Sequence, residues 1–512
     1  MSTALQSLAK LGAGFEHGGD TAERQQSWLY DCLHRNRNTD YGTHYRFDMI
    51  RSVENFREQV PIVSYEDVEP FIVRMSNGEA DVLLAGQPIA FERTGGSTRG
   101  SKLFPYSSHS LEDFQAALLP WLSGSIRQFG IATGTAYFSI SPATRKAEVT
   151  KGGVSIGLPD GAYLGANALA EFIQISAVPA WVGSLSDVAE WQSATLYWLL
   201  RRADLALISV WSPTFMLTLL DALEERYEEL ASLLQDGAVV SGHTLSPDCA
   251  ALARLQAFKS NEDASRLWPN LKLVSCWADA SSQPFFEQLS QRLAHASFQG
   301  KGLLSTEGVV TVPDSVGRPV LAPDSGFFEF LSDSGDICSG HEVIAGTEYE
   351  VVMTTSGGLY RYQTGDSVVC EGFADTLPIL RFSGRQGLTC DIVGEKLHES
   401  FVLSCLKDVP GFRTLVPVLT PRSGYTLVVD NQEQHESSTL IDLVESRLFR
   451  NPQYAYARRI GQLEKLSLCE ASQPLEKYMG RLVRGGTRLG DLKVAALCPE
   501  TDWLETFSGT AI

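Results

Sequence analysis

Apolar residues recur along this chain at two different spacings, and the change from one to the other divides it. In TAERQQSWLYDCLHRNR, from Thr21, and in LEDFQAALLPWLSGSIRQFG, after Ser110, they return every three to four residues, the period of a helix with one buried face. The helical reading of residues 21–60 takes in VENFREQVPIVSYEDVEPF and breaks at Pro61. ADVLLAGQPIAFERT, residues 80–94, reads as strand. FMLTLLDALEERYEELASLLQ, residues 215–235, predicts another helix, whereas the short apolar runs ADLALISVW (203–211) and LKLVSC (271–276) predict buried strands. This alternation implies an α/β domain whose sheets are covered by helices.

After Leu321 the pattern becomes that of strands. FFEFLS, EYEVVMTT, LYRYQTGDSVVCEGF and LPILRFSG are rich in β-branched and aromatic residues and are punctuated by glycine. From Gln386 the chain mixes strands such as YTLVVD with helices such as SSTLIDLVESRLFRN, enough for a small further domain. The expected fold is therefore mixed α/β, with a large N-terminal domain over residues 1–385 and a small α/β C-terminal domain over 386–512.

Composition narrows the function. A chain of 512 residues is too long for one core. A net charge of -19 excludes a protein that draws its affinity from neutralising nucleic-acid phosphates, so any anionic ligand must be held locally. There is no basic segment followed by an apolar stretch at the start, and no apolar run long enough to cross a bilayer. The expected location is the cytoplasm, without membrane or nucleic-acid partners. The nine cysteines are scattered, with no CxxC pair and no histidine at ligand spacing, so no zinc site is readable.

The candidate chemistry begins at Thr94, with TGGSTRGSK. Glycines, hydroxyl residues and a lysine are the composition of a loop that wraps phosphates with backbone amides. It is not a Walker A loop, because Ser101 precedes Lys102, and GxGxxG is absent. A helix follows it after FPYSS, a context that suits an anion site, although a flexible surface turn has the same composition. Three further segments follow in order: LLSTEGVV with Ser305, Thr306 and Glu307; YRYQTGDSV with Asp366; and FSGR ending in Arg385. Each has a plain structural alternative. STE is also a helix N-cap, Asp366 a turn aspartate, and Arg385 half of a surface salt bridge.

The ordered set resembles the adenylate-forming superfamily, and within it the Gretchen Hagen family of acyl-acid amido synthetases, the auxin-conjugating type and its bacterial relatives. LWPNLKLVSCW (267–277), VWSPTFMLTLLDAL (210–223), the STE triplet, YRYQTGD (360–366) and GTRLGDLK (486–493) carry the likeness, which runs from about Asp40 to Pro499. It implies an ATP-dependent enzyme that adenylates a small carboxylic acid and transfers the acyl group to an amine, an amino acid by resemblance, with magnesium as companion ion. Gly96, Ser97, Thr98, Gly100 and Lys102 would hold the β- and γ-phosphates. Ser305 and Thr306 would meet the nucleotide, Thr306 at the α-phosphate, and Glu307 would bind magnesium. Asp366 would take the ribose hydroxyls and Arg385 would sit at the hinge between the domains. Lys493, on a mobile C-terminal lid, would bridge carboxylate and α-phosphate.

The sequence departs from the family pattern at three places. Leu303 stands where an aromatic ring packs on adenine, Gly95 replaces a serine, and CWADASS (276–282) replaces a glycine-rich turn, so that Trp277 narrows the acyl pocket. Tyr163 and Trp211 are the other candidates for lining that pocket, with core packing as their alternative. Two other functions fit the same residues: a ligase that passes the acyl group to coenzyme A or a carrier protein, and a nucleotide-binding protein without turnover.

Overall fold

The computed structural model describes residues 4–13, 19–94, 102–139, 148–158, 160–261, 263–385, 388–419, 423–432, 437–487 and 489–508. Its centre is a parallel four-stranded sheet in the order Ser297–Gly300, Leu273–Cys276, Leu205–Ser209, Thr135–Phe138. The middle strands LALIS and LVSC are wholly buried, as expected of parallel strands covered on both faces. On one face lie the helices Val188–Arg201, Pro213–Glu225 and Tyr227–Asp236. The single helix expected over 215–235 is therefore two, divided at Arg226, which leaves helical geometry while its amide still bonds to Ala222 O. On the other face the long helix Ser108–Gln128 packs with Ala4–Ala13 and Ala166–Ile175. It runs through Pro120 without interruption.

The β-rich region is an antiparallel-dominated seven-stranded sheet in the order Thr311–Pro313, Pro319–Leu321, Leu377–Arg385, Tyr362–Ala374, Glu348–Thr354, Phe327–Leu331, Ile337–Ser339. Helices Thr21–Asn36 and Tyr65–Ser76 cover it through a core of Leu29, Phe56, Val68, Phe328, Val351 and Tyr362. The segment 80–94 forms strand only at Ala90–Arg93; Val82, Leu83 and Leu84 are buried in bends that pack on the same core.

The last part of the chain builds a three-stranded sheet, Arg413–Val418, Gly424–Asp430 and Ser467–Ala471, with helices Ser437–Leu448 and Pro474–Arg484. It has a core of its own around Val402, Leu427 and Tyr454. A second apolar face, with Phe412, Tyr478, Met479 and Trp503, merges with the core that also holds Phe215, Met216 and Leu219. All nine cysteines are free thiols. Among the described residues no helix is long and apolar enough to cross a membrane.

Candidate active site

The carboxyl ends of the parallel strands are where an α/β sheet leaves room for a ligand, because each strand there gives way to a loop. Ser139, Ser209, Trp211, Trp277 and Lys301 all sit at or just beyond those ends. They line a cavity of about 950 Å³ that is completed by the seven-stranded sheet and by the C-terminal part of the chain.

Leu303 and Val310 pair back to back, Val310 N donating to Leu303 O at 2.9 Å, and Ser305 N donates to Gly308 O at 3.0 Å. Ser305, Thr306 and Glu307 therefore occupy the tip of a tight turn and not the start of a helix, which removes the N-cap alternative. All three line the cavity. Tyr106 Oη donates to Thr306 O and fixes the tip. Glu307 is 8% exposed, and its buried Oε1 has no partner among the described residues. An orphaned carboxylate oxygen is costly and calls for a cation or a proton donor.

Asp366 owes its position to Gly365. Glu350 pairs with Ser367 and Val352 with Gln363, so three residues on one strand oppose one on the other, a bulge. Gly365 takes φ +78° in it, a conformation that residues with a Cβ rarely adopt. The Thr364 hydroxyl closes the bulge, accepting from Asp366 N at 3.0 Å and donating to Val351 O at 3.0 Å. Asp366 then faces Arg385 on the neighbouring strand, Nε to Oδ1 3.5 Å. The Asp366 carboxylate is the chief cause that holds the Arg385 pKa above its ordinary value. Lys102 stands on the same side, its Nζ 3.5 Å from Tyr362 Oη and 5.0 Å from the Tyr65 ring centroid. Burial lowers its pKa, helped by Arg385 and opposed by Glu307.

Lys493 reaches this cavity from the C-terminal part of the chain. Its ammonium lies 4.5 Å from the Trp277 ring centroid and 5.9 Å from that of Phe382. Desolvation lowers its pKa, while the negative charges of Asp366, Glu307 and Glu399 work against that. Two groups hold its backbone. Tyr478 Oη donates to Lys493 O at 3.2 Å and accepts from Ala495 N at 3.0 Å, and Glu399 accepts from Ala496 N at 2.9 Å. Desolvation raises the Glu399 pKa to about 7.

Tyr163, Trp211 and Trp277 all line the cavity, and with Phe114, Trp121 and Phe172 they form an aromatic recess. Trp211 and Trp277 lie 6.2 Å apart and are joined by the Trp277 N to Trp211 O hydrogen bond of 2.8 Å. The Tyr163 hydroxyl donates to Glu92 at 3.1 Å.

One expectation needs correction. Leu303 does not line the cavity; it is buried in the core beneath the turn, and Leu304 faces the ligand space in its place. The alternation of a two-residue bridge, Leu304 with Val309, decides which of the adjacent leucines points inward. The glycine-rich segment is followed by a helix after FPYSS, as expected, and the intervening residues are a strand. Its stems Ala90–Arg93 and Leu103–Tyr106 are antiparallel partners, closed by Thr94 N donating to Lys102 O at 2.9 Å, and the helix begins only at Ser108. Gly95, Gly96, Ser97, Thr98 and Gly100 themselves lie outside the described residues. The cavity also contains Glu92, Lys301, Gln363 and Glu399, which the motifs did not single out. The rule about strand carboxyl ends, applied to FQGK, was the signal available for Lys301.

The sequence and the fold have counterparts among known proteins. The model of the "GH3 family N-terminal domain" matches residues 17–297, more than half of the chain, and that of the "GH3 family central domain" matches residues 319–385. The chain belongs to the GH3 family. Among relatives, an indole-3-acetic acid-amido synthetase of Arabidopsis thaliana is 27% identical, over 75% of this chain and 71% of its own. A jasmonoyl–L-amino acid synthetase of Nicotiana attenuata is 26% identical over 74% and 72%. A 4-substituted benzoates–glutamate ligase of Arabidopsis thaliana is 22% identical over 81% and 80%. The fold is that of a solved GH3 acyl acid amido synthetase in complex with 2,4-DB, with a TM-score of 0.85 at 19% identity over 99% and 96% of the two chains. A 2-hydroxyisobutyryl-CoA ligase in the postadenylation state, bound to its acyl adenylate, shares the fold more distantly, at 12% identity over 88% and 85%, with a TM-score of 0.54. This GH3 chain therefore has the adenylate-forming fold.

Proposed function

We propose that this chain is an ATP-dependent acyl-acid amido synthetase: it activates a small carboxylic acid as the acyl adenylate and passes the acyl group to an amine, with amino acids as the acceptor class. The observation that carries this reading is the meeting, in one cavity, of Lys493 with Glu307, Asp366, Arg385 and Lys102, next to an aromatic recess able to take the acid. The names of the relatives, which join indole-3-acetic acid, jasmonate or benzoates to amino acids, support the same chemistry.

In the first step a carboxylate oxygen bonds to the α-phosphorus of ATP, the bond from that phosphorus to the bridging oxygen breaks, and pyrophosphate leaves with the electron pair. Three negatively charged groups crowd together, so the barrier falls if fixed positive charge waits there. Lys493 supplies it at the α-phosphoryl group and Lys102 at the β- and γ-phosphates, with Gly96, Ser97, Thr98 and Gly100 adding amides and hydroxyls. Thr306 bonds the α-phosphate and Asp366 the ribose hydroxyls, with Arg385 beside them. In the second step the amine nitrogen bonds to the acyl carbon, the carbon–oxygen bond to AMP breaks, and the nitrogen loses a proton.

Glu307 fits magnesium. Its unpartnered oxygen offers one hard ligand, and a cation that completes its shell with phosphate oxygens and water needs no more from the protein. Among the described residues no cluster of three or more His, Cys, Asp or Glu competes for it. When bound, the ion neutralises phosphate charge and polarises the phosphoryl group. We assign residues 1–385 to adenylation and 386–512 to the lid that carries Lys493, and nine free thiols support the cytoplasm as compartment.

The test is acid-dependent ATP–pyrophosphate exchange, followed by product analysis with a panel of amino acids and thiols. Exchange that needs an acid and falls at least 100-fold in Lys493→Ala, with ATP affinity kept within about threefold, is expected. Exchange unchanged by that substitution rules out the role of Lys493, and thioester products in place of amides overturn the acceptor assignment.

A further inference from the structure

Lysine is almost never fully buried unless its charge is paired. Lys301 is 6% exposed, and among the described residues no carboxylate forms an ion pair with it. It follows the strand Ser297–Gly300 and enters the aromatic recess from the floor. Its Nζ donates to Ser209 Oγ at 2.7 Å and lies 4.7 Å from the Trp121 ring centroid and 5.3 Å from that of Trp211. Trp121 is itself held, its Nε1 donating to Gln299 Oε1 at 2.9 Å. Burial brings the Lys301 pKa down to about 7, with Cys276 acting in the opposite direction.

An ammonium has three protons, and Ser209 takes one. The other two have no acceptor among the described residues, yet the group lines a cavity that opens to the reaction centre. The rings of Trp121 and Trp211 stand against it and the lysine has already lost its water there, so only the incoming anion has hydration left to lose against the attraction gained at low dielectric. The carboxylate of Glu92 in the same cavity is already engaged, accepting from Leu158 N at 2.5 Å and from the Tyr163 hydroxyl at 3.1 Å. Lys301 is left for the ligand.

We propose that Lys301 is the specificity residue of the acyl recess and selects an aryl acid that carries a second anionic group, a carboxylate, at the end remote from the carboxyl group to be activated. The ring lies among Phe114, Trp121, Phe172 and Trp211, the remote carboxylate accepts from Lys301 and Ser209, and the other carboxyl group is presented to Lys493. The inference rests on the adenylation reading for the fate of that second carboxyl group, but the ion pair at Lys301 does not.

Matched acids test it: terephthalate and 4-carboxyphenylacetate against benzoate and phenylacetate, with 4-carbamoylbenzoate as a neutral acceptor of similar shape. In pyrophosphate exchange the wild type is expected to favour the diacid at least tenfold in kcat/KM. Lys301→Met should collapse or reverse that ratio, and Lys301→Arg should restore part of it. Calorimetric binding of the same acids without turnover separates the two readings. Diacid binding that is lost in Lys301→Met supports the site even if no acid drives exchange, a result that would count against adenylation alone. Equal binding of mono- and diacids by the wild type, an unchanged ratio in Lys301→Met, or 4-carbamoylbenzoate serving as well as terephthalate overturns the proposal.

Discussion

Asp366 and Arg385 face each other across adjacent antiparallel strands, with Nε 3.5 Å from Oδ1, at the last rung of the ladder between those two strands. The pair is loose by the standard of a bidentate bridge, so each side chain keeps hydrogen-bonding capacity for a third party. Asp366 is fixed by a bulge and Arg385 is its exposed neighbour, so the carboxylate is the anchor of the two.

Asp366→Asn keeps the shape and removes the charge. The expected result is ATP affinity weaker by roughly tenfold, since a charge-assisted hydrogen bond becomes a neutral one. Calorimetric titration with ATP measures this, and an unchanged affinity removes Asp366 from the nucleotide contacts.

Tyr478→Phe removes the hydroxyl that bridges Lys493 O and Ala495 N. About 1 kcal/mol of stability should be lost with those bonds. If the hydroxyl sets the height of Lys493 in the cavity, kcat for exchange falls several-fold further while KM for ATP is unmoved. Thermal unfolding together with exchange kinetics decides it, and a stability loss without a kcat change makes Tyr478 purely a scaffold residue.

Lys301→Met should stabilise the free protein in a pH-dependent way. The lysine titrates near 10.5 in the unfolded chain and at about 7 in the folded one, so between those values the unfolded chain binds more protons. The cost of the buried ammonium is complete below about pH 7 and fades as pH rises toward 10.5. The variant should therefore exceed the wild type by a few kcal/mol at pH 6, at about 1.4 kcal/mol per pKa unit, and by little at pH 10. Denaturant melts at both pH values measure the gap, and a gap that is flat or grows with pH contradicts the shift.

The legible parts of the fold were those whose local pattern is also their tertiary role. LALIS and LVSC are uniformly apolar because both faces are covered, and they are the middle strands of the parallel sheet. Thr306 and Glu307, Asp366, Arg385 and Lys493 come from separate stretches of sequence, each a recognisable motif, and they line one cavity. What was hidden depended on partners from elsewhere. Whether Leu303 or Leu304 faces the ligand is settled by pairing with Val309 and Val310. Arg361 stands inside the YRYQTGD motif but turns away from the site to a buried bridge with Glu329, 2.9 Å long, which only the packing against that strand reveals. Lys301 looks like any lysine next to a glycine until the tryptophans at 121 and 211 close around it.

The apolar face that joins Phe412, Tyr478, Met479 and Trp503 to Phe215, Met216 and Leu219 is one continuous dry seam without directional bonds among these side chains. Pulling its halves apart would wet each side chain at about 25 cal/mol per Å² of apolar surface, whereas sliding one over the other keeps most of that surface dry. If the C-terminal part moves as the proposed lid, sliding along this seam is expected to cost less than opening it, and bulkier side chains here are expected to slow turnover without touching any ligand.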